Sequence, residues 1–130
     1  MSKVLVDSSV WISFLKGNEE GKHLFPLLDS SQVCINDLIL AELLPLLLHK
    51  KELRLVALLK SIERTQINIE WEDIIRMQTM NLENGLNRVG VPDLIIAQNS
   101  MQNQLRLFSF DKHFEIMKNY VALQLYDPNN

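Results

Sequence analysis

Val4-Leu5-Val6-Asp7-Ser8-Ser9 is the stretch whose reading decides the fold. Three apolar residues without alternation suit a strand covered on both faces, as in a parallel sheet, and Asp7 ends the run. Ser8 and Ser9 then open a helix over residues 9–15. Its apolar positions Val10, Trp11, Phe14 and Leu15 have helical spacing, and Gly17-Asn18 stops it. This is one strand-to-helix step.

The step recurs outward from there. Residues 22–28 read as a short helix and 32–35 as a second strand, after which Asn36 or Asp37 can cap a long apolar helix. Pro45 lies inside that helix and is expected to kink or break it. Lys50-Lys51 marks a turn before a helix over 52–63. Residues 66–69 alternate like a short strand, and 71–86 form an amphipathic helix through Ile74, Ile75, Met77 and Leu82. Beyond Asn84-Gly85 and Gly90, Pro92 takes the first-turn position that suits proline, in front of a helix over 93–103. A strand over 105–108, a helix over 111–119 and a last strand over 122–125 precede a polar tail, 127–130. Strands separated by helices, with no hairpin signal, predict one α/β domain over residues 1–126 with a parallel sheet between helices. Ligands of such sheets bind at the carboxyl ends of the strands.

With 130 residues the chain can bury one core, and 47% hydrophobic with 22% charged residues is a globular balance. A net charge of −3 repels a polyanion, so any RNA must be held by local basic groups or through a bound cation. The lone Cys34 excludes an internal disulfide and reads as a buried, inert thiol in a reducing compartment. Met1-Ser2-Lys3 leaves no room for a signal peptide, and the longest apolar run, 38–48, contains Glu42 and is too short to cross a bilayer. A cytoplasmic location is expected.

Four acids stand out. Asp7 and Asp111 each follow an apolar strand and precede a helix, which places both at the carboxyl edge of the sheet. Taken alone, each reads first as a helix cap. Asp93 follows Pro92 in a first helical turn, where the macrodipole favours an anion. Glu42 lies mid-helix among leucines, where no capping role exists. It either needs a partner for its charge or marks a solvated stripe on a buried helix. A parallel sheet can bring all four to one edge, where their mutual repulsion would be relieved by a hard divalent cation, Mg²⁺ or Mn²⁺. A cation beside a phosphodiester suggests hydrolysis through a metal-activated water without a covalent intermediate. Zinc fits poorly, since His23, His49 and His113 lack paired spacing and each reads as a surface or helix-end residue.

In order and spacing, Val4-Leu5-Val6-Asp7-Ser8-Ser9, Ala41-Glu42-Leu43, Pro92-Asp93-Leu94-Ile95-Ile96-Ala97 and Phe108-Ser109-Phe110-Asp111-Lys112-His113-Phe114 resemble the PIN-domain ribonucleases. The likeness covers nearly the whole chain and is strongest to the short VapC-type toxins of toxin–antitoxin pairs. It implies a three-layer sandwich around a five-stranded parallel sheet, with Asp7, Glu42, Asp93 and Asp111 arranged as catalytic and metal ligands around Mg²⁺ or Mn²⁺. Ser9 and Ser109 match small polar positions that support the site, Ser109 standing where many relatives have threonine. Pro45 has no counterpart in the pattern. The resemblance further implies an RNA substrate, a homodimer and a small antitoxin lying over the acids. An RNA-processing nuclease without an antitoxin, or a PIN-fold binding module without turnover, is the alternative.

Independently of that likeness, runs 38–48 and 53–59 are leucine-rich enough either to complete the core or to be covered by a partner. Lys50, Lys51 and Arg54 form a basic cluster that could meet RNA phosphates or an acidic antitoxin, or simply be a solvated face. Two other small α/β enzyme classes are disfavoured. A phospho-acceptor receiver domain needs an acidic neighbour beside Asp7, and a haloacid-dehalogenase-like phosphatase needs a second aspartate where Ser9 stands.

Overall fold

A computed structural model describes residues 3–129; Met1, Ser2 and Asn130, the last residue of the expected tail, lie outside them. Strand β1 (Val4–Val6) runs at the centre, paired in parallel with β2 (Val33–Ile35) on one side and with β4 (Arg106–Phe108) on the other. The fourth strand, β3 (Glu63–Arg64), adds in parallel to the outer edge of β2, so the sheet order is β3-β2-β1-β4. Val4, Leu5 and Val6 are all fully buried. Successive strand side chains point to opposite faces, so both faces of the central strand are covered, as its unbroken apolar run requires.

Helix α1 (Ser8–Leu15) follows β1 and ends on Gly17, whose φ of 75° is left-handed. A single 3-10 turn (Glu20–His23) packs back on α1 and leads into α2 (Leu24–Asp29). That return depends on Gly21, where an added Cβ would lie 2.3 Å from the backbone nitrogen of Phe14. The remaining helices are α3 (Asp37–His49), α4 (Leu53–Ser61), α5 (Trp71–Glu83), α6 (Val91–Gln102) and α7 (Lys112–Met117). Their apolar faces and the sheet form one hydrophobic cluster, with Trp11, Phe108 and Phe114 among its largest fully buried side chains.

Three expectations are corrected. The sheet has four strands rather than five: the segment expected as a final strand over 122–125 makes one parallel bridge, Leu107 to Leu125. Among the described residues two backbone bonds tie it to β4, Leu107 N to Gln124 O and Tyr126 N to Leu107 O, both 2.9 Å, which is too little for a ladder. The segment expected as a strand over 66–69 pairs with no strand among the described residues. Its backbone is held by amide side chains of α6, through Asn99 Nδ2 to Gln66 O and Gln102 Nε2 to Asn68 O, while Gln98 both donates to Glu70 O and accepts from Glu70 N. Pairing with β2 falls instead on Glu63 and Arg64, of which the sequence assigns Glu63 to the end of a helix. Pro45, finally, does not break α3. The carbonyl its missing N–H leaves without a helical partner is that of Ala41, and both residues are exposed, so water can satisfy it.

Candidate active site

From β1 the chain builds the sheet outward through β2 and β3 and then returns to the other side of β1 with β4, so the crevice at the carboxyl end of β1 lies beside β4. Asp7 stands there, 5% exposed, with its backbone N–H donating to Phe108 O at 2.9 Å. It occupies the N-cap position of α1, yet its side chain makes no cap hydrogen bond. The carboxylate is taken up elsewhere: Ser109 Oγ donates to Asp7 Oδ2 at 2.8 Å and Ser9 Oγ donates to the same oxygen at 3.0 Å. Each hydroxyl in turn accepts a backbone N–H from the turn after β4, Ser9 from Phe110 at 3.1 Å and Ser109 from Asp111 at 3.0 Å. The two serines thus join the ends of β1 and β4 and both occupy Oδ2, leaving Oδ1 as the oxygen the serines do not use.

Asp111 does cap a helix, accepting His113 N at Oδ1, 2.9 Å. The same oxygen lies 3.2 Å from His113 Nδ1, a buried atom with no hydrogen-bond partner. Asp93 sits in the first turn of α6 behind the cap residue Gly90, and Pro92 beside it needs no backbone partner. One donor atom from each of Asp93, Asp111 and His113 can be chosen so that all three lie within 4.8 Å of one another. His113 is a member of this group that sequence reasoning set aside as a helix-end residue. The usable signal was its place two residues after Asp111, because the capping bond that holds Asp111 also turns the histidine towards it.

Asp7 and Glu42 fall outside that tight group but act on it through charge. Burial first, and then the negative charges of Asp111, Asp7 and Glu42, together push the Asp93 carboxyl up to about 6, with His113 opposing them. Glu42 is exposed on α3, on the solvated stripe that was one of its two readings, rather than enclosed by leucines. Its carboxyl is raised above the ordinary value by partial burial and then by Asp7, while a hydrogen bond with the Ser8 side chain pulls it down. Ser8 is thus a second contributor that its sequence position, as a helix opener, did not suggest. Asp93 therefore carries the imprint of the other three acids at once.

The donor set fits a hard divalent cation. Carboxylate oxygens dominate it, one imidazole nitrogen is available without a hydrogen bond, and the repulsion that adds to burial in raising Asp93 is the kind a cation removes. Cys34, the sole thiol, is fully buried within β2. Burial pushes it up to about 12, far from the thiolate a soft-metal site would need.

A family model described as PIN domain matches residues 4–119. Among solved structures, the chain is similar to a DNA-bound VapBC from Salmonella typhimurium, with TM-score 0.73 and 19% identity over 98% of this chain and 99% of that one. It is similar also to VapBC2 from Rickettsia felis bound to a promoter DNA fragment, at TM-score 0.70 and 18% identity over 95% and 98%. A third is FitAcB from Neisseria gonorrhoeae, at TM-score 0.66 and 17% identity over 98% and 99%. No curated protein sequence matches the chain significantly.

Proposed function

The chain belongs to the PIN-domain family, and from that premise we propose that it is a divalent-metal-dependent ribonuclease, the toxin of a VapBC-type toxin–antitoxin pair. The observation that carries the reading is the grouping of Asp93, Asp111 and His113, donor atoms of which lie within 4.8 Å of one another, with Asp7 at the end of β1 and Glu42 on α3 close enough to add their charge to the burial that raises the Asp93 carboxyl. Structural acids are spread or paired with bases; these are crowded and share one histidine.

Asp93 and Asp111, with His113 beside them, are the residues that would hold Mg²⁺ or Mn²⁺, and Asp7 and Glu42 complete the negative surround. When bound, such a cation lowers the pKa of water and offsets the charge developing on a phosphodiester in hydrolysis. The protein's own part is positional. Ser9 and Ser109 fix Asp7 through Oδ2, and their bonds to the Phe110 and Asp111 amides fix the turn that carries Asp111. Asp111 is oriented in turn by its bond from His113 N. Second partners of this kind hold ligating carboxylates in one orientation.

Three observations support a protein partner and a second subunit: the neighbours are toxin–antitoxin assemblies, Leu46, Leu48 and Leu53 stand exposed on the α3 and α4 pair, and Trp71, Ile75 and Leu82 stand exposed on α5. Cytoplasmic action accords with the absence, among the described residues, of any helix long and apolar enough to cross a membrane. Sequencing RNA ends after induced expression of the wild type and of Asp7→Asn tests the reading. New ends that depend on Asp7 are expected; identical end profiles for the two would overturn it. A short reading frame just upstream, encoding a DNA-binding head and a polar tail whose product co-purifies with the chain, is expected for the toxin role. A lone gene, harmless on expression, would favour an RNA-processing nuclease.

A further inference from the structure

A cleft of about 580 Å³ opens beside the acids, between the 3-10 turn, the end of β4, α7 and the segment that follows Leu125. Its size is that of a small-ligand site. Two of its lining residues, Ser109 and Phe110, belong to the turn that holds Asp7 and carries Asp111. The cleft and the acids therefore share a wall.

That wall is aromatic. Phe110 meets Phe108 edge-on with centroids 5.5 Å apart, and Phe108 meets Tyr126 at 5.0 Å. Tyr126 is fixed from behind: Arg106 lies 5.0 Å from its ring centroid, and its backbone N–H donates to Leu107 O at 2.9 Å. Phe110 and Tyr126 are partly exposed, so ring surface faces the opening. The single bridge that replaced the expected fifth strand is what brings Tyr126 here.

The charges around the cleft argue against a phosphate. Glu20, Glu115 and Asp127 line it, and Lys118 is bound to Glu115 at 2.7 Å. An anion would meet net negative charge, whereas a neutral, flat group bearing N–H donors would find rings to stack on and carboxylates to accept from. We propose that this cleft is a nucleobase subsite, which takes one unpaired base of a single-stranded RNA while the adjoining phosphodiester lies at the acids. The inference rests on the ribonuclease reading and deepens it. An unpaired base offers both its π face and its Watson–Crick edge, which a duplex withholds. Because the aromatic wall is held in place before binding, little ordering is lost on stacking. Selection at this subsite comes from base identity and strandedness, and it is insensitive to salt because it neutralises no phosphate.

The test follows the ring resonances of Tyr126 and Phe110 by NMR while the metal-free protein is titrated with each of the four 5′-ribonucleoside monophosphates and with ribose 5-phosphate. Tyr126→Ala and Tyr126→Phe are carried alongside, and cleavage of single-stranded RNA with Mn²⁺ is measured for all three proteins. At least one nucleotide should shift the rings where ribose 5-phosphate does not. Tyr126→Ala should lose the shift and raise KM about tenfold at little change in kcat, as loss of one stack in both ground and transition states requires, while Tyr126→Phe keeps both. Unmoved rings, equal shifts with ribose 5-phosphate, or an unchanged KM in a folded Tyr126→Ala overturn the subsite. A wild type that cuts no RNA with Mn²⁺ overturns the ribonuclease reading instead, and the nucleotide titration still decides whether the cleft binds a base.

Discussion

At the scale of single residues, the site stores repulsion. Asp93 is held above the ordinary carboxylate range by burial and by three neighbouring negative charges, so its ionised form costs the metal-free fold stability. Asp93→Asn removes that charge with little change of shape. The metal-free variant should melt at a higher temperature than the metal-free wild type, measured by thermal unfolding in excess chelator, while losing RNA cleavage. An equal or lower midpoint would mean that the acids are not crowded in solution. Ser109 is different in kind, since it touches Asp7 and the Asp111 amide and belongs to no donor group for the cation. Ser109→Ala should lower cleavage by about 10- to 100-fold, as for other residues that orient ligating groups, and Ser109→Thr should restore most of it. Cys34 gives the pH prediction. Its folded thiol is raised from 9.0 to about 12, so the protonated form is favoured by folding; this contribution to stability is complete below pH 9 and fades as pH rises through about 12. Native protein at pH 9 should therefore resist iodoacetamide, and urea-unfolded protein should label fully.

At the scale of elements, short strands leave much of the site's placement to side-chain hydrogen bonds. Asn36, fully buried, caps α3 by accepting Ile39 N at 2.9 Å and donates to Asn99 Oδ1 at 3.0 Å, linking the helix of Glu42 to the helix of Asp93. Asn36→Ala should cost about 1–3 kcal/mol in urea denaturation, a cap plus a buried hydrogen bond. A loss under about 0.5 kcal/mol would remove this link from the account. What was legible in the sequence follows the same division. The unbroken run Val4-Leu5-Val6 and a cap at Asn36 or Asp37 were readable because local burial and local capping decide them, and of the two it is Asn36 that caps α3. Residues 66–69 were not, because their alternation is satisfied by amides of α6, thirty residues away, rather than by a strand. The last segment also misled, since one bridge at Leu125 has the apolar pattern of a strand without its length. Among the acids, order and spacing along the chain pointed to the right edge of the sheet, but the setting of Glu42 could not be foreseen. Whether a mid-helix acid faces leucines or water depends on which stripe of α3 the core covers, and its leucines occur on both.

At the scale of the molecule, a protein of net charge −3 gathers four of its acids, Asp7, Glu42, Asp93 and Asp111, near one edge of the sheet, where the proposed substrate would meet them. On the ribonuclease reading, a divalent cation held there would offset the repulsion of the scissile phosphate as well as support the chemistry, so both would depend on the same ion. The most direct measurement is cleavage of single-stranded RNA by the purified wild type and Asp93→Asn, each with Mn²⁺ and each with excess chelator. Cutting by the wild type with Mn²⁺ alone, and by neither protein otherwise, is the predicted result. Cutting that persists in chelator, or in Asp93→Asn at the wild-type rate, would contradict it.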